Sequence, residues 1–359
     1  MSVEVEAPPP SEADADVGLA ASARPWSLDA AVPRDPFFWV RATTLTAYGV
    51  VYLWWLRNEG LIIDRVSVAL SVAIFLLCAF AGKPWRRWGL LLVDAVLYAS
   101  MWFAYEMTRG TADKGIPIPF TESRLKFPLQ IHYARNIDRA MFFGSDPNIW
   151  MQDNIYDASD IKWYDNVASA TYYTHFVFPV VAIAVLWAAS RVEWVRFMKR
   201  FATLLGVSCA MFVMLPTAPP WMVSSPKYPY HLIEPLARHT GRGFNDLGFE
   251  GYVKKWQQAL DWSNAVAAMP SLHSAFALFV PAFFLPWIRP RWLKALVLVF
   301  PVVMLTSLVY FGEHWVIDGI AGFAVVGVSF LFWNRAERRQ RRTRAARARS
   351  AMAPRPATS

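Results

Sequence analysis

The chain has 359 residues, of which 55% are hydrophobic and 18% charged, well under the roughly 25% charge of an ordinary soluble domain. That balance excludes a soluble globular enzyme and points to an all-α, polytopic membrane protein. The formal charge of +9 is local: the segment after Trp333 holds nine Arg and one Glu, so it carries +8 and leaves the rest near neutral.

Residues 1–35 are acidic and rich in Pro and Ala, without the basic start and apolar core of a signal peptide. This composition predicts a disordered N-terminal tail. Apolar segments follow near 40–57, 64–82, 87–106, 168–190, 199–217, 270–287, 294–312 and 315–333. Each approaches the ~20 residues needed to span hydrocarbon, which predicts about eight transmembrane helices in a membrane domain over 36–333. The arginine-rich segment 334–359 reads as a disordered cytoplasmic tail, a topology anchor with affinity for anionic lipid rather than a nucleic-acid reader. Cys78 and Cys209 lie inside apolar runs, so neither a disulfide framework nor a cysteine metal site is implied. No internal repeat is evident.

Charge in the connections sets the orientation. The loops KPWRR (83–87), RVEWVRFMKR (191–200) and RPRWLK (289–294) are basic, as is the C-terminal segment. With eight spans and a cytoplasmic N-terminus, all of them fall on the cytoplasmic side of the inner (plasma) membrane, as the positive-inside rule requires. Both termini are then cytoplasmic. The opposite, extracytoplasmic face receives two long connections, 109–167 and 218–269. Connections of that length in a compact protein tend to be functional.

Three segments share that face. MLPTAPPWM (214–222) ends the fifth span, MPSLHS (269–274) opens the sixth, and YFGEHWVIDGIAG (310–322) opens the eighth. Pro270 and Ser271 suit a helix start with Ser271 as cap, and the free amides of such a turn, at Ser271 and Leu272, attract phosphate. His273 lies in the same turn, placed to give a proton to a departing oxygen. His314 and Asp318 are four residues apart, hence on one helix face about 6 Å apart along the axis. Asp318 accepts the proton of one ring nitrogen and leaves the other free to attack, the logic of an oriented nucleophile.

These segments resemble the signature of the type 2 phosphatidic acid phosphatase superfamily. Its second motif is usually Pro-Ser-Gly-His, and its third is Ser-Arg, five residues, His, three residues, Asp. Here the text is PSLH at 270–273 and SLVYFGEHWVID at 307–318, and the likeness covers about 165–333. The resemblance implies a metal-independent phosphohistidine mechanism with no cofactor: His314 as nucleophile, Asp318 orienting it, His273 as general acid, and membrane lipids as substrates. Leu308 stands where the usual motif has a phosphate-binding Arg, and PTAPPWM replaces the cationic first motif. With Leu272 in place of Gly, these departures are more similar to the inositol phosphorylceramide synthase branch, whose members move a phospho-alcohol head group between lipids. IDRAMFFGSDPNIWMQ (137–152) and TYYTHFVFPVVAIAVLW (171–187) are similar to bacterial members of that branch.

The missing cations leave the phosphate charge to be balanced elsewhere. Arg238, His239, Arg242, Lys254 and Lys255 in the later connection, or Arg124, Lys126, Arg135 and Arg139 in the earlier one, are the candidates. His231 and His239 read as exposed loop histidines, His175 as a hydrogen-bonded packing residue, and Asp94 as a buried carboxylate paired with a polar neighbour. With water as acceptor, the same chemistry makes a lipid phosphate or polyprenyl pyrophosphate phosphatase. A metal-dependent hydrolase gathering His231, His239, His314 and Asp318 is a second class. A transporter is a third, and it would place its polar groups near mid-membrane.

Overall fold

The structure, a computed structural model, describes residues 36–60, 65–117, 122–229, 232–249, 251, 253 and 265–352. The predicted tail 1–35 and the candidates His231, Lys254 and Lys255 lie outside the described residues. Every apolar segment read from the sequence coincides with a helix. These are α1 (Phe38–Asn58), α2 (Arg65–Phe80), α3 (Trp85–Lys114), α6 (Trp163–Ala189), α7 (Arg191–Met214), α10 (Leu272–Phe284), α11 (Arg291–Tyr310) and α12 (Val316–Met352). The long connections supply shorter helices: α4 (Tyr133–Met141), α5 (Pro147–Asn154), α8 (Pro220–Ser224) and α9 (Arg242–Asp246). Among the described residues the strands amount to one antiparallel ribbon, Ile116–Pro117 against Arg124–Leu125.

Five helices, α3, α6, α7, α11 and α12, are long and apolar enough to cross a membrane by length and composition. Leu70–Phe80 within α2 and Leu272–Trp287, which is α10 with the 3₁₀ turn that follows it, are apolar but shorter. The fold is an all-α membrane-type bundle.

α10 sits at its centre, packed against α12, α11 and α6. Phe276, Phe279 and Phe283 of α10 meet Phe197 and Phe201 of α7 in edge-on and tilted ring pairs with centroids 4.9–5.7 Å apart, geometry that adds to the area the rings bury. Close approach of α10 to α12 depends on Gly322. A Cβ there would lie 2.5 Å from the Ser271 carbonyl oxygen, so any larger residue forces the two backbones apart.

Asp94 of α3 is paired, as its burial requires. It accepts from the Trp187 indole at 2.8 Å and is gripped by both terminal nitrogens of Arg191. The arginine-rich segment departs from the expected disordered tail, since α12 continues through it to Met352. Ala, Arg, Gln and Glu dominate that stretch and are strong helix formers. Its first turn is pinned by Glu337 to Arg196 and Arg200 at 2.9 and 2.8 Å, and by Asn334 to Arg200 at 2.8 Å.

Candidate active site

Strand-like bonds join the connections at the end of the bundle where α7 stops and α10 and α12 begin. Gln130 N–H donates to the Pro216 carbonyl at 2.8 Å and Ala218 N–H to the Gln130 carbonyl at 2.9 Å, while Thr217 N–H donates to the Val266 carbonyl at 2.8 Å. The segment after α7 is thereby laid beside the one that leads into α10. Trp221 N–H donates to the Gly312 carbonyl at 3.0 Å, and the Trp315 indole donates to the Ala218 carbonyl at 2.9 Å. Gly312, at φ +66°, takes the left-handed turn that lets α11 reverse into α12.

The starts of α10 and α12 are tied to each other. Ser271 caps α10, its hydroxyl accepting from Ser274 N–H at 3.3 Å, and its own N–H donates to the Asp318 carbonyl at 2.9 Å. Ser271 is fully buried and committed to this role, whereas Leu272 and His273 line a cavity of about 580 Å³. Asp138 of α4 receives the first amides of α12, Val316 N–H at 2.7 Å and Ile317 N–H at 2.9 Å. A carboxylate is well placed at such an end. Burial nevertheless pushes its carboxyl up to about 7, with the two amides opposing the rise.

His314 is 6% exposed and Asp318 fully buried. The His314 Nδ1 lies 3.4 Å from Asp318 Oδ2, which also accepts Trp315 N–H at 2.9 Å. With Nδ1 facing the carboxylate, Nε2 is the nitrogen left to react. The His314 backbone is itself held, because Asn148 of α5 donates its side-chain amide to the carbonyls of Val309 and His314 at 2.9 and 3.1 Å. Gln152, one turn on, donates to the Tyr310 and Ala237 carbonyls at 2.7 and 3.1 Å. The ring of His273 stands 5.5 Å from that of His314, centroid to centroid, and both line the cavity.

Arg238 is the one cation and Glu313 the one carboxylate among the described residues lining that cavity. They form a two-pronged pair, Nε to Oε1 at 2.7 Å and Nη2 to Oε2 at 3.1 Å, with the guanidinium 4.0 Å from the Trp221 ring centroid. Burial works against the Arg238 charge, but the Glu313 carboxylate outweighs it and holds the group above its ordinary value. Two of the five guanidinium N–H groups serve Glu313, which leaves donors for an anion.

The other described candidates are engaged elsewhere. Arg242 donates to the Asp157 and Asp160 carbonyls at 2.6 and 2.7 Å and pairs with Asp165 at 3.4 Å. Arg135 pairs with Asp146 at 2.9 Å. Arg124 and Arg139 bond the carbonyls of Gly115 and Gly144, Lys126 is exposed, and His239 stacks on Tyr156. Leu308, in the position of the usual arginine, is fully buried in apolar surroundings. His175 packs against Phe176 and Phe276 and hydrogen-bonds the Leu272 backbone, as expected of a hydrogen-bonded packing residue, but it also lines the cavity, stacks on His273, and its Nδ1 has no partner among the described residues.

A family model described as PAP2 superfamily matches residues 136–332. The chain belongs to the PAP2 superfamily. It is also similar to the phosphoinositol dihydroceramide synthase of Bacteroides thetaiotaomicron, at 22% identity over 301 residues covering 81% of this chain and 91% of that protein. No solved structure matches. The likeness supports the inositol phosphorylceramide synthase-like branch.

Proposed function

We propose that this PAP2 protein is a metal-independent lipid phosphotransferase that moves a phospho-alcohol head group, of the inositol phosphate type, from one lipid to another. The observation that carries the reading is the cavity itself, where an imidazole backed by a buried carboxylate faces a second imidazole and one cation. His314 Nε2 attacks phosphorus while Asp318 holds Nδ1 and stabilises the charge that develops on the ring. His273 protonates the departing oxygen and later takes the proton of the acceptor. Arg238 and the Leu272 and His273 amides at the start of α10 receive the phosphate oxygens, the Ser271 and Ser274 amides being used within the protein.

Charge favours transfer over hydrolysis of phosphomonoesters. With Glu313 paired to Arg238 and Leu308 in place of an arginine, the described cavity has no surplus positive charge for a dianion. A monoanionic phosphodiester suits it better. Away from the histidines the cavity runs between α3, α6 and α7 past Tyr98, Trp102, Phe176, Leu205 and Phe212, an apolar wall fit for a lipid chain. The second reading is a lipid phosphate or polyprenyl pyrophosphate phosphatase, with water as acceptor on the same His314.

In this proposal all eight apolar helices cross the inner membrane, both termini are cytoplasmic, and the cavity serves the extracytoplasmic face. The basic residues Arg191, Arg196 and Arg200 belong to the start of α7, and the site lies where α7 ends. The test is turnover by the purified full chain in detergent with EDTA present. Labelled phosphatidylinositol plus a ceramide analogue is set against labelled phosphatidic acid and a polyprenyl pyrophosphate. Transfer of label to the ceramide analogue, abolished by His314→Ala, is expected. Release of inorganic phosphate from the monoester or pyrophosphate alone favours the phosphatase, and activity that EDTA removes contradicts the mechanism.

A further inference from the structure

Two ring nitrogens beside the reacting groups are buried without any partner among the described residues: Nδ1 of His175 and Nε2 of His273. A buried polar atom left unmet costs about 1–3 kcal/mol, and native proteins leave few of them. The two belong to rings that touch. The centroids of His175 and His273 are 3.9 Å apart, with planes inclined by 29°.

The contact is built from two helices. On α6, Tyr172, His175 and Phe176 share a face at spacings of three and four, and that face meets the first turn of α10. Tyr172 stacks on His273 at 4.7 Å, and Phe276 of α10 stacks on His175 at 4.9 Å. Both imidazoles are held by aromatic neighbours, and His175 also by a hydrogen bond with the Leu272 backbone. Their unmet nitrogens sit on adjoining rings, and both residues line the cavity.

We propose that His175 and His273 together form the seat of the reacting oxygen, with His175 donating a hydrogen bond from Nδ1–H and His273 carrying the proton. This rests on the phosphotransfer reading above. In the first step His314 Nε2 bonds to phosphorus and the P–O bond of the donor breaks. The departing oxygen takes its electron pair, accepts the proton of His273 and is held by His175. In the second step the acceptor hydroxyl occupies the same seat and returns a proton to His273. Its oxygen bonds to phosphorus while the P–N bond gives its pair back to His314. His175 is thus a catalytic residue that the superfamily motifs do not contain.

The test compares two donors that differ in how much their leaving oxygen needs help, phosphatidylinositol and 4-nitrophenyl inositol phosphate. His175→Phe keeps the ring stack and removes the nitrogen. It is expected to lower kcat/KM at least ~10-fold on phosphatidylinositol and under about 3-fold on the nitrophenyl ester, whose stable anion departs without a donor. His175→Asn, which retains an N–H, recovers part of the loss. Equal losses on both esters in a variant that melts like wild type would mean a packing role and overturn the seat, as would full activity on phosphatidylinositol. Should His175→Phe fail to fold, His175→Leu enters the same comparison. Wild type inactive on both esters sinks the phosphotransfer reading itself, and the seat with it.

Discussion

The two ends of the bundle hold similar side chains in opposite states. Midway along α12, Glu337 is shared by Arg196 and Arg200, Arg200 also reaches Asn334, and Arg196 reaches Glu193, all at 2.8–2.9 Å. Some 19 residues and about 28 Å back along the same helix lies Asp318, and His314, just ahead of that helix, lines a cavity with hydrogen-bonding capacity to spare. Asp318 Oδ1, His273 Nε2 and His175 Nδ1 are all unmet among the described residues. A network whose donors and acceptors are all used has nothing left for a ligand, so it holds helices together. Unmet groups grouped around a cavity mark the place where a ligand completes them. Density of polar side chains does not separate the two ends; unmet groups gathered at a cavity do, since Trp194 Nε1, unmet near the other end, does not line that cavity.

The contrast can be broken by mutation. Asp318→Asn is expected to have the largest effect, a loss of about 10³–10⁴-fold in turnover with little change in melting temperature, since it removes the acceptor that orients His314. Arg238→Ala comes next. Losing a charge-assisted bond to phosphate weakens binding by about 1.5–3 kcal/mol, read as a KM for the phosphodiester raised ~10–100-fold with kcat less affected. Glu337→Ala belongs to the other end. Stranding the buried Arg200 is expected to cost about 3 kcal/mol of stability, seen in a detergent melt, with kcat unchanged in the folded fraction. A Glu337 variant with normal stability and failed catalysis would dissolve the distinction between the ends.

The smallest effect is that of pH on Asp138. Its carboxyl is raised to about 7 by burial, above its value in the unfolded chain, so the folded state holds its proton more tightly. Its contribution is therefore full below about pH 4 and is lost as pH rises through 7. The wild-type melting temperature should decline across that range by more than that of Asp138→Asn.

Much of this was legible in the sequence. All eight apolar runs match helices, because an apolar run is the same signal whether lipid or protein covers it. How much protein covers it was not legible: 6% of the residues in the apolar stretch of α3 are buried, against 44% of those in α7. That His314 and Asp318 lie together was readable from their four-residue spacing, although His314 sits just ahead of α12 rather than on one of its faces. Which cation lines the cavity was not, since the placing of Arg238, Arg242, Arg135 and Arg139 depends on carboxylates and carbonyls supplied by other segments. The same holds for Asp138, Asn148 and Gln152, whose bonds to α11, α12 and the turn between them span more than 150 residues of sequence. His175 was read as packing because its face of α6 is aromatic, a pattern that gives no hint of the second imidazole laid against it.

The most direct test of the central claim is to quench the enzyme during turnover of labelled donor lipid and look for label on the protein. The account predicts an acid-labile, base-stable phosphoramidate on His314, carrying the transferred head group and absent from His314→Ala. Turnover at the wild-type rate by His314→Ala, or an intermediate mapped to another residue, would contradict it.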